Sequence, residues 1–187
     1  YAFGASKENI TIGGTTLAVG DSHSDDIWIA KLNSNGNVVW SDVIGTDNSD
    51  TSNSSDGTYE DTAFHQPYID SDGNFVMHIE FESRNITLGN ITLQHPYPDN
   101  SDTWGNNRYT VKAIVKVSPN GTWLWGAVIG KETGSVSYSS IYDEDGNMYA
   151  FGASKENITI GGTTLAVGDS HSDDIWIAKL NSNGNVV

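Results

Sequence analysis

Apolar and polar residues alternate along most of this chain in short runs separated by small polar turns. Phe75-Val-Met-His-Ile-Glu-Phe-Glu82 shows the period most cleanly: Phe75, Met77, Ile79 and Phe81 fall on one side, His78, Glu80 and Glu82 on the other. Successive side chains of a strand point to opposite faces, so this spacing predicts a strand. Residues 26–32, 38–44, 62–69, 109–117, 123–129, 135–142, 148–154 and 173–180 read the same way. Between them stand Ser34-Asn-Gly-Asn37, Asp70-Ser-Asp-Gly-Asn74, Pro119-Asn-Gly-Thr122 and Asp143-Glu-Asp-Gly-Asn147. An Asn-Gly pair between apolar runs signals a hairpin, because such turns need positive φ. Short Ile-Thr runs flank Gly89-Asn90 and Gly161-Gly162, while 46–61 and 94–108 are long polar loops. No stretch sustains a helical period with caps. The expected class is all-β.

The chain also repeats itself. Tyr1 to Val39 returns letter for letter as Tyr149 to Val187, an offset of 148 residues. Long self-similarity at a fixed period marks a repeat architecture. Surface loops drift readily, so identity through the loops predicts a window from a longer tandem array, entered and left inside strands. The period holds two diverged sub-units, since Val38 to Gly45 matches Trp123 to Gly130 position for position. The expected division is a partial repeat over 1–39, a first full unit over 40–124 and a second unit over 125–187. About four strands with tight Gly turns per unit suit a four-stranded blade.

Asp145-Gly-Asn147, Gly161-Gly-Thr-Thr-Leu165, Asp174-Ile-Trp-Ile-Ala-Lys-Leu180 and Asn183-Gly-Asn-Val-Val187 follow one another in order, and Gly13 to Trp40 matches their later part. This succession resembles the SBBP-type β-propeller repeats of bacterial and archaeal surface proteins. The middle unit departs from it, with Gly89-Asn-Ile-Thr-Leu93 and Val111-Lys-Ala-Ile-Val-Lys-Val117 in the corresponding places. The resemblance implies tandem four-stranded antiparallel blade-like modules. Their positions are structural, so it carries over no catalytic residue. Roughly two and a half units fall short of the ~4 blades that close a ring. The arrangement expected is an incomplete ring or an open, fibre-like stack.

Composition narrows the partners. With 24 acidic against 9 basic residues the net charge is −15, which repels nucleic acid and anionic membranes. There is no Cys, so disulfides and thiolate metal sites are excluded. No apolar run approaches the ~20 residues of a membrane span, and no membrane insertion is expected.

Few residues suggest chemistry. Asp70, Asp72, Asp143 and Asp145 resemble the opening of a calcium loop, where alternate oxygens wrap a hard cation. Tight turns use the same Asp and Gly letters. Asp47, Asp50, Asp56, Glu60 and Asp61 form an acidic loop that is a second cation candidate, with Asp21, Asp25 and Asp26 (copied as Asp169, Asp173 and Asp174) a third. Asn9, Asn53, Asn85, Asn90, Asn120 and Asn157 head N-glycosylation sequons. Five of the six Trp lie in predicted strands and suit packing; Trp104 stands in a polar loop, where it is a candidate glycan contact. No H-E-x-x-H, G-x-S-x-G, Walker or Rossmann pattern occurs.

A catalytic pocket is needed once, yet here nearly everything recurs. The sequence therefore points to a non-enzymatic extracellular structural protein, a surface filament or layer subunit, with no cofactor beyond calcium. Its expected partners are copies of itself and N-linked glycans. An adhesin or glycan-binding propeller module is the alternative, and a propeller glycoside hydrolase comes third.

Overall fold

The computed structural model describes residues 1–19, 26–44, 62–63, 67–81, 85–96, 111–131, 137–167 and 172–187. Every regular element among them is a strand. In chain order these are β1 (Ala2–Ser6), β2 (Ile10–Ile12), β3 (Thr15–Leu17), β4 (Asp26–Leu32), β5 (Val38–Ile44), β6 (Thr62–Ala63), β7 (Tyr68–Ile69), β8 (Phe75–Phe81) and β9 (Asn85–Leu88). There follow β10 (Ile91–Gln94), β11 (Val111–Val117), β12 (Trp123–Lys131), β13 (Ser137–Tyr142), β14 (Met148–Ser154), β15 (Ile158–Ile160), β16 (Thr163–Leu165) and β17 (Asp174–Leu180). The class is all-β, built from several antiparallel sheets, none of them closed.

Three sheets form the body. The first has the order β1-β4-β5; the central one runs β16-β15-β12-β11-β8-β6, with β7 also on β8; the last is β13-β14-β17. In each, a strand pairs with the next long strand of the chain, and a short hairpin is interposed between them. The hairpins are β2–β3, β9–β10 and β15–β16. The third hairpin leaves the last sheet and pairs with β12, Ile129 opposite Ile160, so it ties the last sheet to the central one. The marks that the sequence period sets at 40 and 125 fall inside β5 and β12.

The turns explain why these strands reverse where they do. At Asn33, Asp70, Ser118, Asp143 and Asn181 the backbone N–H donates to the carbonyl four residues on, and the third residue after each is a Gly that donates back. Those glycines, Gly36, Gly73, Gly121, Gly146 and Gly184, have φ between 76 and 88°. A side chain with Cβ is strained there, which is why Gly recurs.

Two cores separate the sheets. One gathers Ile27, Ile29 and Ile44 of the first sheet with Phe75, Met77, Ile79, Phe81, Ala113, Val115 and Val117 of the central sheet. The other gathers Val76, Ile114, Ala127 and Ile129, on the opposite face of the central sheet, with Met148, Ala150, Trp176, Ala178 and Leu180 of the last. The central sheet is thus buried on both sides. His78 and Lys116, on a face whose letters look half polar, are almost fully buried with it.

Candidate functional site

Each of the two joints between sheets has a donor face and an acceptor face. In the first joint the donor face belongs to the first sheet. Ile27, Ile29 and Lys31 share a side of β4, and Tyr1 and Phe3 share the same side of β1. Tyr1 stacks on Phe75 with ring centroids 4.6 Å apart, and Phe3 lies 5.6 Å from the same ring. Two hydrogen bonds close the rim: Lys31 Nζ donates to the Pro119 carbonyl at 2.7 Å, and Trp40 Nε1 donates to the same oxygen at 3.0 Å. Trp123 Nε1 of the central sheet donates back to Asp42 Oδ2 at 2.7 Å.

The second joint repeats the construction one sheet further on. Ile114 and Lys116 share a side of β11, facing Trp176, Ala178 and Leu180 of β17. Lys116 Nζ donates to the Ser182 carbonyl at 3.3 Å, and Trp125 Nε1 donates to it at 2.9 Å. Pro119 and Ser182 hold the same place in equivalent turns, one residue after Ser118 and Asn181. Trp40 lies over Gly121, where an added Cβ would come within 3.0 Å of its ring; Trp125 lies over Gly184, where the approach would be 2.6 Å. The indole plane thus needs Gly in the turn below it. Aromatic contacts fill the rest of this joint: Tyr68 stacks on Tyr142 at 4.1 Å, and His78 on Tyr138 at 5.0 Å, with Ser140 Oγ 3.0 Å from His78 Nε2. Burial pushes the Tyr142 hydroxyl up to about 12 and the Tyr138 hydroxyl further still, so both stay neutral.

The outer faces carry the same letters. The last sheet presents Tyr149, Phe151, Ile175, Ile177 and Lys179 on its outer side, the exact copies of Tyr1, Phe3, Ile27, Ile29 and Lys31. Ile27 and Ile29 are 0 % exposed, whereas Ile175 is 89 % and Ile177 67 % exposed. Ile141 of β13 adds to the open patch, and a shallow cleft of about 460 Å³ runs beside it, lined by Leu165, Asp174 and Ile175 among others. At the other end the first sheet presents Trp28 and Leu32, both half-buried; their copies Trp176 and Leu180 are buried in the second joint.

The acidic turns use their own carboxylates. Asp70 Oδ1 accepts the N–H of Asp72 at 3.0 Å and of Asn74 at 2.9 Å; Oδ2 accepts Asn74 Nδ2 at 2.9 Å and pairs with Lys116 Nζ at 2.7 Å. Burial pushes the Asp70 carboxyl up, but Lys116 and Asn74 together outweigh it and hold the carboxyl below its ordinary value. Asp143 repeats this with Asp145 and Asn147, and Asn147 chiefly holds its carboxyl low. Asp72 and Asp145 enter only through their backbone N–H in these bonds. Among the described residues no three His, Asp or Glu side chains gather closely enough to hold a metal ion.

The sequon residues Asn9, Asn85, Asn90, Asn120 and Asn157 are exposed. Three of them also accept hydrogen bonds through Oδ1, Asn120 from the Ser118 hydroxyl. Asn9 Oδ1 accepts the N–H of Val19, and Asn157 Oδ1 that of Val167, each at 3.2 Å. In the same motifs Thr11 pairs with Thr16 and Thr159 with Thr164, hydroxyl to hydroxyl across the hairpin. The amide nitrogen that a glycan would take does not figure in these bonds. Asn53, Trp104, the acidic loop from Asp47 to Asp61, and Asp21, Asp25 and Asp169 lie outside the described residues.

The rim bonds are what sequence reading missed. Lys31, Trp40, Lys116 and Trp125 act through carbonyls 57 to 88 positions away, a separation that leaves no local signal. The trace available in the letters is that Trp40 and Trp125, like Lys31 and Lys116, occupy matching positions in the two sub-units. No protein-family model matches the chain, and no curated protein matches it.

Proposed function

We propose that this chain is a non-enzymatic structural repeat protein, made of tandem four-stranded blade-like modules that pack face to face and continue as an open stack. The carrying observation is the paired fate of identical segments. Ile27 and Ile29 are sealed under the central sheet, and Ile175 and Ile177, the same residues in the same strand, are left open. Burying a large aliphatic side chain stabilises by ~1.5–3 kcal/mol, so the open face is poised to pack. Contiguous exposed apolar surface on a folded chain marks an interaction site.

The likeness of the Gly-Gly-Thr-Thr-Leu and Asp-Ile-Trp-Ile-Ala-Lys-Leu runs to SBBP-type surface repeats supports an extracellular filament or layer. The exposed sequon residues Asn9, Asn85, Asn90, Asn120 and Asn157 suit N-linked glycans on such a surface. The charge of −15 would keep neighbouring filaments apart while the apolar faces join end to end.

Negative-stain electron microscopy of the concentrated chain, with light scattering over a dilution series, tests this. Linear particles that lengthen with concentration are expected. Discrete monomers that bind glycan arrays would replace the filament with an adhesin, and rings of fixed size would replace the open stack with a closed propeller.

A further inference from the structure

The two outer faces are the two halves of a joint that the molecule already makes twice. The donor half of the first inner joint is Tyr1, Phe3, Ile27, Ile29 and Lys31; the outer face of the last sheet is written in the same letters. The acceptor half of the second inner joint is Trp176, Ala178 and Leu180, followed by the turn of Ser182; the outer side of the first sheet is its copy, with Trp28 and Leu32 half-buried about an already buried Ala30 and the turn of Ser34 exposed. Both inner joints run in the same sense, donor face over the next acceptor face. Both are fastened by a lysine on the carbonyl of the turn's second residue, Lys31 on Pro119 and Lys116 on Ser182. Lys179 is the next lysine in that series, and the carbonyl of Ser34 is the matching acceptor at the opposite end.

We propose that the Phe151, Ile175 and Ile177 face of one molecule seats on the Trp28 and Leu32 face of a second copy of this chain, with Lys179 Nζ donating to the Ser34 carbonyl of that copy. This rests on the self-packing function proposed above and gives it a direction. A contact between two different faces repeats head to tail, closing into a ring if the rotation between copies allows it and otherwise running on as a polar filament, never as a two-fold dimer; the open stack proposed above is the second case. A two-fold contact of the isoleucine face with itself pairs two faces of one kind, each bearing the lysine and neither the turn carbonyl that Lys31 and Lys116 reach. The head-to-tail joint gives that lysine a carbonyl. Its present neighbours do not prevent this: Lys179 Nζ lies 3.7 Å from Asp143 Oδ2, just as Lys116 keeps Asp70 while reaching Ser182.

The absence of native Cys makes the test clean. Chains carrying Lys179→Cys are mixed with chains carrying Ser34→Cys and treated with a short bismaleimide. Both positions are at least partly exposed, and the melting temperature of each variant is checked against the parent. Cross-linked dimers in the mixture, at least ~10-fold above those of either variant alone, are expected, and adding Ile177→Asp to the Lys179→Cys chain should abolish them. Cross-links of Lys179→Cys chains with one another, in a sample that still associates, would overturn the polar joint and leave self-packing standing. A chain that sediments as a monomer at every concentration and gives no cross-link would overturn both.

Discussion

Residues 1–39 and 149–187 are the same polypeptide written twice, and the molecule treats them as opposites. In the first copy the Ile27 and Ile29 side of β4 is sealed, while Trp28 and Leu32 on the other side are half-buried. In the second copy the Trp176 and Leu180 side of β17 is sealed, and Ile175 and Ile177 face outward. The hairpins differ in the same way. Ile158 and Ile160 are buried where β15 joins the central sheet, but Ile10 and Ile12 are half-buried. Sequence, strand register and turn type are shared by the two copies, so none of them causes the difference. What differs is which face has a neighbouring sheet. Burial here is a property of position in a series, and each segment carries both halves of the joint.

The comparison breaks most visibly at its lysines. Lys116 and Asp70 form an ion pair with side chains 6 % and 4 % exposed. Removing one partner of a buried pair strands the other, at a cost of ~3–5 kcal/mol. Lys116→Met should therefore lower the denaturation midpoint severely. Lys179→Met, at the equivalent and more open pair with Asp143, should leave it almost unmoved. The pH dependence follows from the same pair. The folded Asp70 carboxyl is held below its ordinary 3.8, so its contribution is complete above that value and is lost as pH falls through the folded one. A melting series taken down into this acid range should show a loss that Asp70→Asn removes; an unchanged slope in that variant would assign the loss elsewhere.

Next in size are the paired isoleucines. Ile27→Ala opens a cavity between two sheets and should cost ~2–5 kcal/mol. Ile175→Ala, the same change in the same strand sequence, should cost under ~0.5 kcal/mol in a dilute monomer, as exposed positions do. Chemical denaturation of the two variants checks this directly.

The glycine turns give the smallest contrast. At Gly36 and Gly184 φ is +80°, so Ala is strained in both, at ~1–2 kcal/mol. At Gly36 nothing lies within 4 Å of an added Cβ, whereas at Gly184 the Trp125 ring is 2.6 Å away. Gly184→Ala should exceed Gly36→Ala by the cost of moving that indole, and fluorescence of Trp125 should report the shift. Equal effects would mean that the indole does not rest on the turn.

Much of this fold was legible. The alternation from Phe75 to Phe81 marked β8, and the Asn-Gly and Asp-Gly pairs marked the reversals between long strands. The letters of Asp70-Ser-Asp-Gly-Asn74 fitted a cation loop or a tight turn; the bonds of Asp70 to Asp72 and Asn74 describe a turn. What could not be read is what depends on distant partners. Periodicity reports a strand's own polarity, so it put His78 beside Glu80 and Glu82 and gave no sign that a second sheet would bury it together with Lys116. The Lys31 and Trp40 bonds to Pro119 join residues 88 and 79 apart. The exact repeat showed that one segment recurs; it did not show that this segment would bury opposite faces at its two occurrences.

The most direct test compares Ile29→Asp with Ile177→Asp, by thermal melting in dilute solution and by sedimentation velocity across a concentration series. Ile29→Asp should collapse the melt. Ile177→Asp should melt as the parent does and sediment as a monomer where the parent forms larger species. Equal destabilisation by both substitutions, or association undiminished in Ile177→Asp, would contradict the account.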